Sequence, residues 1–479
     1  MVYSERINAE LGNRNRCLNN ISLAQVCLKS SNSVLSQLND LIVKARKITI
    51  QVTDKTANHE VWKQAVKDVE RLSVEILETA NNPNMGGSLS SRNQTMASPF
   101  RKEKMDAVYP AYTEKMELEI EPGLNMKINP IDSNSLTEPL KTLGEDSDLD
   151  PGIDRNTWLS DLNRGRGVNL GSIKVTKKNR GRSREVSLLR AVTVGDVIDA
   201  INSSGTTGLR ADIGASKKGL NLTLAGSRES ISGREFVISE AGGTTARDLG
   251  ILTTLLKESP ERPGSWEGRD LNPILTEKTP ISLLKVGKGM ILGTIKFALG
   301  NRQAMIDLSS ASTAGDIIDA INNSIPGVIA SINGSKRGIS IEAKVPGKSL
   351  VVSDGDDKKS ATCLGISGSP DILGALLFLI DALNRGDYEA VARSSEILNL
   401  SSKDILNHRA EVGARLKLLE AIRTGLIGFQ PDTSRLFSNV SEADVSRATT
   451  DLANQQSIFE SALKRGATMI QPALLNFIR

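Results

Sequence analysis

Two stretches of this sequence carry the same marks in the same order, and that duplication points to a small fold built twice rather than to one large core. The first stretch opens Leu149-Asp150-Pro151 and the second Leu271-Asn272-Pro273, 122 residues further on. Thr157 answers Thr279, Gly165-Arg166-Gly167 answers Gly287-Lys288-Gly289, and Gly171-Ser172-Ile173-Lys174 answers Gly293-Thr294-Ile295-Lys296. After a drift of two residues, Thr193-Val194-Gly195-Asp196 is matched by Thr313-Ala314-Gly315-Asp316, and both stretches run on into Asp-Ala-Ile-Asn. Each closes on Leu-Gly-Ile, beginning at Leu249 and at Leu364.

A chain of 479 residues with 39% apolar content can bury several cores, so three or four structural units are expected. Basic and acidic residues number 60 and 56 and are interspersed, with no basic stripe or aromatic platform to mark a nucleic acid partner. The three cysteines, Cys17, Cys27 and Cys363, are too few and too scattered for a disulfide framework or a thiolate metal site. His59 and His408 are the only histidines and stand near opposite ends of the chain, against imidazole catalysis or zinc binding. The longest apolar run, 372–380, is half of what a bilayer crossing needs and reads as a buried helix, so no membrane insertion is expected. No cleavable secretory signal opens the sequence.

Helical periodicity dominates both ends. Over residues 7–52, Ile21, Leu28, Leu35 and Ile42 step by seven, with Leu11, Leu18, Leu38 and Ala45 at alternate positions. That spacing predicts one helix of about thirteen turns whose stripe needs a partner. A second helix follows Asn58, with Trp62, Val66, Val69 and Ile76 on one face and Asn82-Pro83-Asn84 as its stop. After a Gly/Ser/Asn-rich stretch, Met116, Leu118 and Ile120 alternate with glutamates, Glu121-Pro122-Gly123 turns, and Leu124, Met126 and Ile128 alternate again, which predicts a hairpin. Residues 145–150 read as an acidic linker and 257–269 as an exposed one. Each repeat places strands around one helix, beginning at Thr193 or Thr313, whose Asp196 or Asp316 completes a capping box variant. Beyond Gly365 the sequence predicts two helical segments, 404–426 and 441–470, the latter capped by Ser441 with Asp444 and carrying the stripe Val445, Leu452, Phe459, for which the N-terminal helix holds a matching stripe.

The expected fold class is therefore multidomain α+β. The N- and C-terminal segments form a long coiled-coil-like helical bundle, with a β-hairpin and two inserted small α+β, β-rich repeat domains. The division is 1–82 as an N-terminal helical rod, 83–148 as loop, hairpin and linker, 149–252 as the first repeat, 253–270 as a linker, 271–367 as the second repeat and 368–479 as the C-terminal helical segment.

No catalytic, cofactor or metal site can be assembled from the motifs. Gly165-x-Gly167-x-x-x-Gly171 lacks the spacing of a dinucleotide fingerprint and precedes a strand, so its glycines read as turn residues. Gly347-Lys348-Ser349 has Glu342 where a phosphate loop needs its first glycine. Asp146, Asp148 and Asp150 alternate as in a calcium loop, but Pro151 and Thr157 replace the required glycine and glutamate, leaving a solvated linker as the expectation.

The segments 409–416 (RAEVGARL), 438–444 (SNVSEAD) and 471–479 (QPALLNFIR) resemble the C-terminal region of the flagellin superfamily, most closely that of its hook-associated members at the junction of hook and filament. Residues 18–82 resemble the family's first rod helices, and both repeats resemble its hook "IN" motif, here Ile201-Asn202 and Ile321-Asn322. The resemblance implies a non-enzymatic building block without cofactor, exported by the flagellar type III apparatus with an export chaperone and placed outside the cell. It implies partners in flagellin and hook-associated protein 1, and self-association in a ring. Leu452, Phe459, Leu463, Ile470, Leu474 and Phe477, with Val445, would then pack in a tube wall, and the repeats would project outward. Family members carry a further helix ahead of the position of Ile7, so the reading frame upstream of Met1 is expected to encode one. Flagellin itself, the filament cap and, in another class, a surface adhesin or glycan-binding module are the competing readings.

Overall fold

The computed structural model describes residues 2–53, 59–80, 101–103, 106–108, 117–128, 142–177, 183–204, 208–224, 236–258, 265–287, 290–345 and 348–475. Of residues 2–8, 101–103, 106–108, 224, 286–287, 429–445, 463 and 466–475 it describes the backbone alone. Long helices at both ends and several small sheets between them make this a mixed helix-and-sheet chain.

The first helix, α1, runs Val2–Thr53 without a break, 52 residues. Ile21, Leu28 and Ile42 on its stripe are 0% exposed and Leu35 is 1% exposed, and Leu38 and Ala45 are buried with them. Helix α2 (His59–Ala80) buries Trp62, Val69 and Ile76, while Val66 lies at the margin of that core. Strands β1 (Arg101–Glu103) and β2 (Asp106–Val108) pair as a short ribbon. The expected hairpin forms from β3 (Glu117–Glu121) and β4 (Leu124–Lys127), antiparallel with Leu118 opposite Met126. Gly123 takes φ +81° in its turn, a conformation that glycine adopts without steric cost. The stretch 83–100 and the helix stop at Asn82-Pro83-Asn84 lie outside the described residues.

Two modules with one order of elements follow. The first has β6 (Ser172–Lys177), β7 (Ser183–Ser187), α3 (Val194–Ser203), β8 (Leu209–Ile213), β9 (Leu220–Leu224) and β10 (Phe236–Glu240). The second has β13 (Thr294–Leu299), β14 (Arg302–Asp307), α4 (Ala314–Ser324), β15 (Val328–Ile332), β16 (Ile339–Ala343) and β17 (Leu350–Asp354). In each, the central strand pairs antiparallel with the next and with the last, giving β10-β6-β7 and β14-β13-β17, and a second sheet pairs β8 with β9 or β15 with β16. Thr193 and Thr313 are N-caps whose side chains accept from Asp196 N and Asp316 N, with both capping boxes closed. The IN pair acts structurally. Asn202 exchanges two hydrogen bonds with the Ala211 backbone (2.8 and 3.0 Å), and Asn322 does the same with Ala330 (2.7 and 3.1 Å), pinning helix to strand.

Both expected linkers are corrected. Strand β5 (Thr142–Leu143) adds to β16 of the second module, and Asp148 and Asp150 pair with Arg337 at 3.0 and 3.5 Å, which fixes the segment against that module. In the other linker, β11 (Lys257–Glu258) and β12 (Ser265–Glu267) join the β9-β8 sheet of the first module, and Ser265 and Trp266 are buried. Composition signals a surface segment, but a free sheet edge with unpaired amides captures it.

Beyond the modules, α5 (Ile372–Arg385) contains the apolar run and buries most of it. The chain ends in α6 (Tyr388–Leu475), 88 residues in one helix where the sequence predicts two. The backbone at the expected cap, Ser441, lies inside it: a helix that arrives already formed satisfies those amides within its own ladder. No helix among the described residues is long and apolar enough to cross a membrane.

Candidate assembly interface

The covered part of the helical ends is an antiparallel seam between α1 and the first half of α6. Gln25 meets Glu420 (2.8 Å) and Arg423 (3.4 Å), Asn32 accepts from Arg409 (3.3 Å), and Asn39 Oδ1 accepts from the Ser402 hydroxyl (2.7 Å), so numbers fall on α6 as they rise on α1. Between these polar ties Val412 and Leu419 are buried with the α1 stripe. Ser394 and Ser401, also buried, bond their own helix carbonyls at 2.8 and 3.1 Å, which satisfies a small side chain at the closely packed face. The hairpin lies across the seam: Arg16 pairs with Glu119 at 3.1 Å, Asn20 donates to the Glu119 carbonyl, and Arg415 donates to that of Lys127. Helices α2 and α5 close the bundle, with Trp62 edge-on to Tyr388 at 4.7 Å between ring centroids.

Past Leu426 the described side chains of the helix are uncovered. Ile427 is exposed, and among the described side chains of 446–465 none is buried, with Leu452 at 57% and Phe459 at 66% exposure. The stripe of α1 is thus taken by α6 residues up to Leu426 and does not cover Leu452 and Phe459, correcting the match between the two stripes. The side chains of Val445, Leu463, Ile470 and Leu474 and the whole of Phe477 lie outside the described residues. The run 427–475 spans about 70 Å at the helical rise.

Ionisable groups of unusual character sit in packing positions. Burial pushes up the thiols of Cys17 and Cys27, which favours their unreactive form. Burial also raises the carboxyl of Asp371, the N-cap of α5, although Gly374 N at 2.7 Å and the Ser349 hydroxyl at 2.9 Å donate to it. Among the described residues no three His, Cys, Asp or Glu side chains gather as a metal-binding group. Sequence reasoning missed one feature altogether: the segments leading into each module are held by the other module. The signal was present in the matching Asp150-Pro151 and Asn272-Pro273.

Residues 294–345 match the family described as the flagellin hook IN motif. No curated protein matches the chain. Among solved structures, it is similar to FlgL from Xanthomonas campestris at 12% identity and a TM-score of 0.40, covering 90% of this chain and 99% of that one. It is also similar to flagellar hook associated protein-3 from Legionella pneumophila at 11% identity and a TM-score of 0.40, covering 92% and 99%.

Proposed function

We propose that this chain is a non-enzymatic structural subunit of the bacterial flagellum, an adaptor at the junction of hook and filament. The observation that carries the reading is the flagellin hook IN motif at residues 294–345, in a chain that carries the same pattern a second time between long helical ends. The uncovered stripe at Leu452 and Phe459 supports it, because an apolar helix face on an isolated protein is normally completed by another molecule.

In this reading the α1–α6 seam is a coiled-coil-like rod. Val445, Leu452, Phe459, Leu463, Ile470, Leu474 and Phe477 pack against neighbouring subunits in a tube wall, and the two modules are inserted repeats that project outward. The partners are flagellin on one side, hook-associated protein 1 on the other, and further copies of this chain in a ring. Export proceeds through the flagellar type III apparatus with a chaperone, to an extracellular position. The domain division follows the sequence, except that residues 142–150 go with the second module and 265–271 with the first.

Immunoelectron microscopy with an antibody raised against residues 142–366 tests the reading. A single band where filament meets hook is the expected result. Label along the whole filament would make the chain a flagellin, label at the distal tip a cap protein, and label on the cell surface of non-flagellated cells an adhesin.

A further inference from the structure

The backbone between the two modules obeys a twofold rule. Leu149 N donates to Arg337 O (2.8 Å) and Lys285 N donates to Leu149 O (2.6 Å); in the sister positions, Leu271 N donates to Lys218 O (2.9 Å) and Asn163 N to Leu271 O (2.6 Å). Gly152 N donates to Leu283 O and Ile274 N to Asp161 O, at 2.7 and 2.9 Å. One residue later each strand is home: Ile153 N bonds Lys217 O and Leu275 N bonds Lys336 O, both at 2.7 Å. Each of these bonds has its counterpart with the roles of the modules reversed, which is the pattern of an isologous interface.

The cores follow the same exchange. Leu149, which opens the first module in sequence, is 1% exposed within the core of the second; Leu271, which opens the second, is 0% exposed within the core of the first. The chain crosses over at Asp150 and Asn272, which take φ of +42° and +40° and each precede a proline. Asx residues tolerate that conformation best among non-glycines, and the proline keeps helix from forming across the crossing. Gly219 and Gly338 make room for the visiting segments, since a Cβ there would collide with the carbonyl oxygens of Arg269 and Ser147 respectively. The symmetry breaks in charge at the crossing. Asp150 binds both Lys218 of the first module (2.9 Å) and Arg337 of the second (3.5 Å), whereas its counterpart Asn272 carries no charge.

We infer that the two modules form an internally closed pair, docked through one self-complementary surface whose partner is the sister module, with each holding the other's lead-in segment in its core. This does not depend on the flagellar reading. It means that the face between the modules is consumed within the chain and is closed to neighbouring molecules. It also means that the stability of each module depends on a segment that sequence assigns to the other.

Hydrogen–deuterium exchange on the full chain decides the matter, with Leu149→Asp and Leu271→Asp as the variants. Leu149→Asp is expected to speed exchange in β13 and β17 of the second module by about tenfold or more and to leave β6 and β10 near their original rates. Leu271→Asp is expected to do the reverse. If charge at these positions prevents folding, Leu149→Ala and Leu271→Ala carry the same expectation with smaller factors. Loss concentrated in the module that follows each substitution in sequence, loss equal in both modules, or no loss in either overturns the exchange.

Discussion

Ile21, Leu28, Leu35 and Ile42 of α1 step by seven and are buried, while Leu452 and Phe459 of α6 step by seven and are exposed. The two stripes look alike in sequence because periodicity records only that one face of a helix is to be covered. What covers it is a separate fact. For α1 the answer lies within the chain, in α6 residues up to Leu426; for the outer part of α6 nothing among the described residues does so. A covered stripe contributes to the stability of the monomer, and an uncovered one does not.

The largest expected effect follows directly. Leu28→Asp places a carboxylate in the α1–α6 seam and should destabilise the isolated protein by about 4 kcal/mol, measured by denaturant unfolding followed through helical circular dichroism. Leu452→Asp should leave that stability unchanged within about 0.5 kcal/mol, as for other exposed substitutions, and instead abolish filaments while flagellin is shed into the medium. Equal destabilisation by both would erase the distinction between the stripes. Normal filaments with the Leu452 variant in place would remove the assembly role of the outer one.

A second contrast fixes the register. Cysteines replacing Asn39 and Ser402, whose side chains meet at 2.7 Å across a separation of 363 residues, should bridge under mild oxidation in the monomer. The bridge closes a long loop and should stabilise by about 3 kcal/mol, the typical yield of a disulfide and below the chain-entropy limit of about 6 kcal/mol for a loop of this length. Cysteines at Asn39 and Leu452 should not bridge in the monomer. Bridging of that second pair would mean that α1 reaches the outer stripe after all.

The parts of the fold that were legible in sequence are those decided within a few residues. The α1 stripe, the hairpin about Pro122-Gly123, and the boxes Thr193/Asp196 and Thr313/Asp316 each follow from spacing and local hydrogen bonding. Features decided by distant partners were not legible. The acidic run 145–150 reads as linker until Arg337 and the β16 edge are beside it, and Trp266 reads as exposed until β9 pairs with its strand. The continuity of α6 was hidden for the opposite reason: Ser441 with Asp444 is a sound local start signal, overruled by a helix already under way. At the candidate interface, the length of the α1 stripe called for a partner around 406–426, where Val412, Leu419 and Leu426 cover it, but the side chains that set the register, Gln25, Asn32 and Asn39, gave no signal in sequence.

A smaller difference separates two carboxylates that both serve helix N-termini. Asp371 caps α5 from a buried position, and burial raises its carboxyl above the ordinary value of 3.8. Its contribution to stability is then fully present below the unfolded value and lost as pH rises through the folded one. Asp371→Asn keeps the capping oxygen and removes the charge. The variant should be the more stable protein at neutral pH, and the difference should vanish in acid, as read by thermal unfolding across a pH series. A variant less stable than the original at neutral pH would show that the charge-assisted bonds from Gly374 and Ser349 outweigh the desolvation.

Asp316 does the same service for α4 at the surface and shifts the other way. Its Oδ2 accepts from Ser312 N (2.8 Å), the Ser312 hydroxyl (2.7 Å) and Thr313 N (2.9 Å), all of which favour the ionised form and hold the carboxyl down to about 2. Stability from this group is therefore present above the unfolded value of 3.8 and is lost as pH falls through about 2. Asp196 in the first module is also held low, by Val192 N and Thr193 N, but Val192 stands where Ser312 stands in the second and has no hydroxyl to add. On acidification, the start of α3 should consequently fray before the start of α4. Carboxyl-carbon titration by NMR would show it, with Asp316 protonating at the lower pH of the two. Ser312→Val should bring the two helices together by raising the Asp316 titration toward that of Asp196. Coincident titration in the unaltered protein would mean that the hydroxyl contributes nothing and that the two modules are alike at this cap.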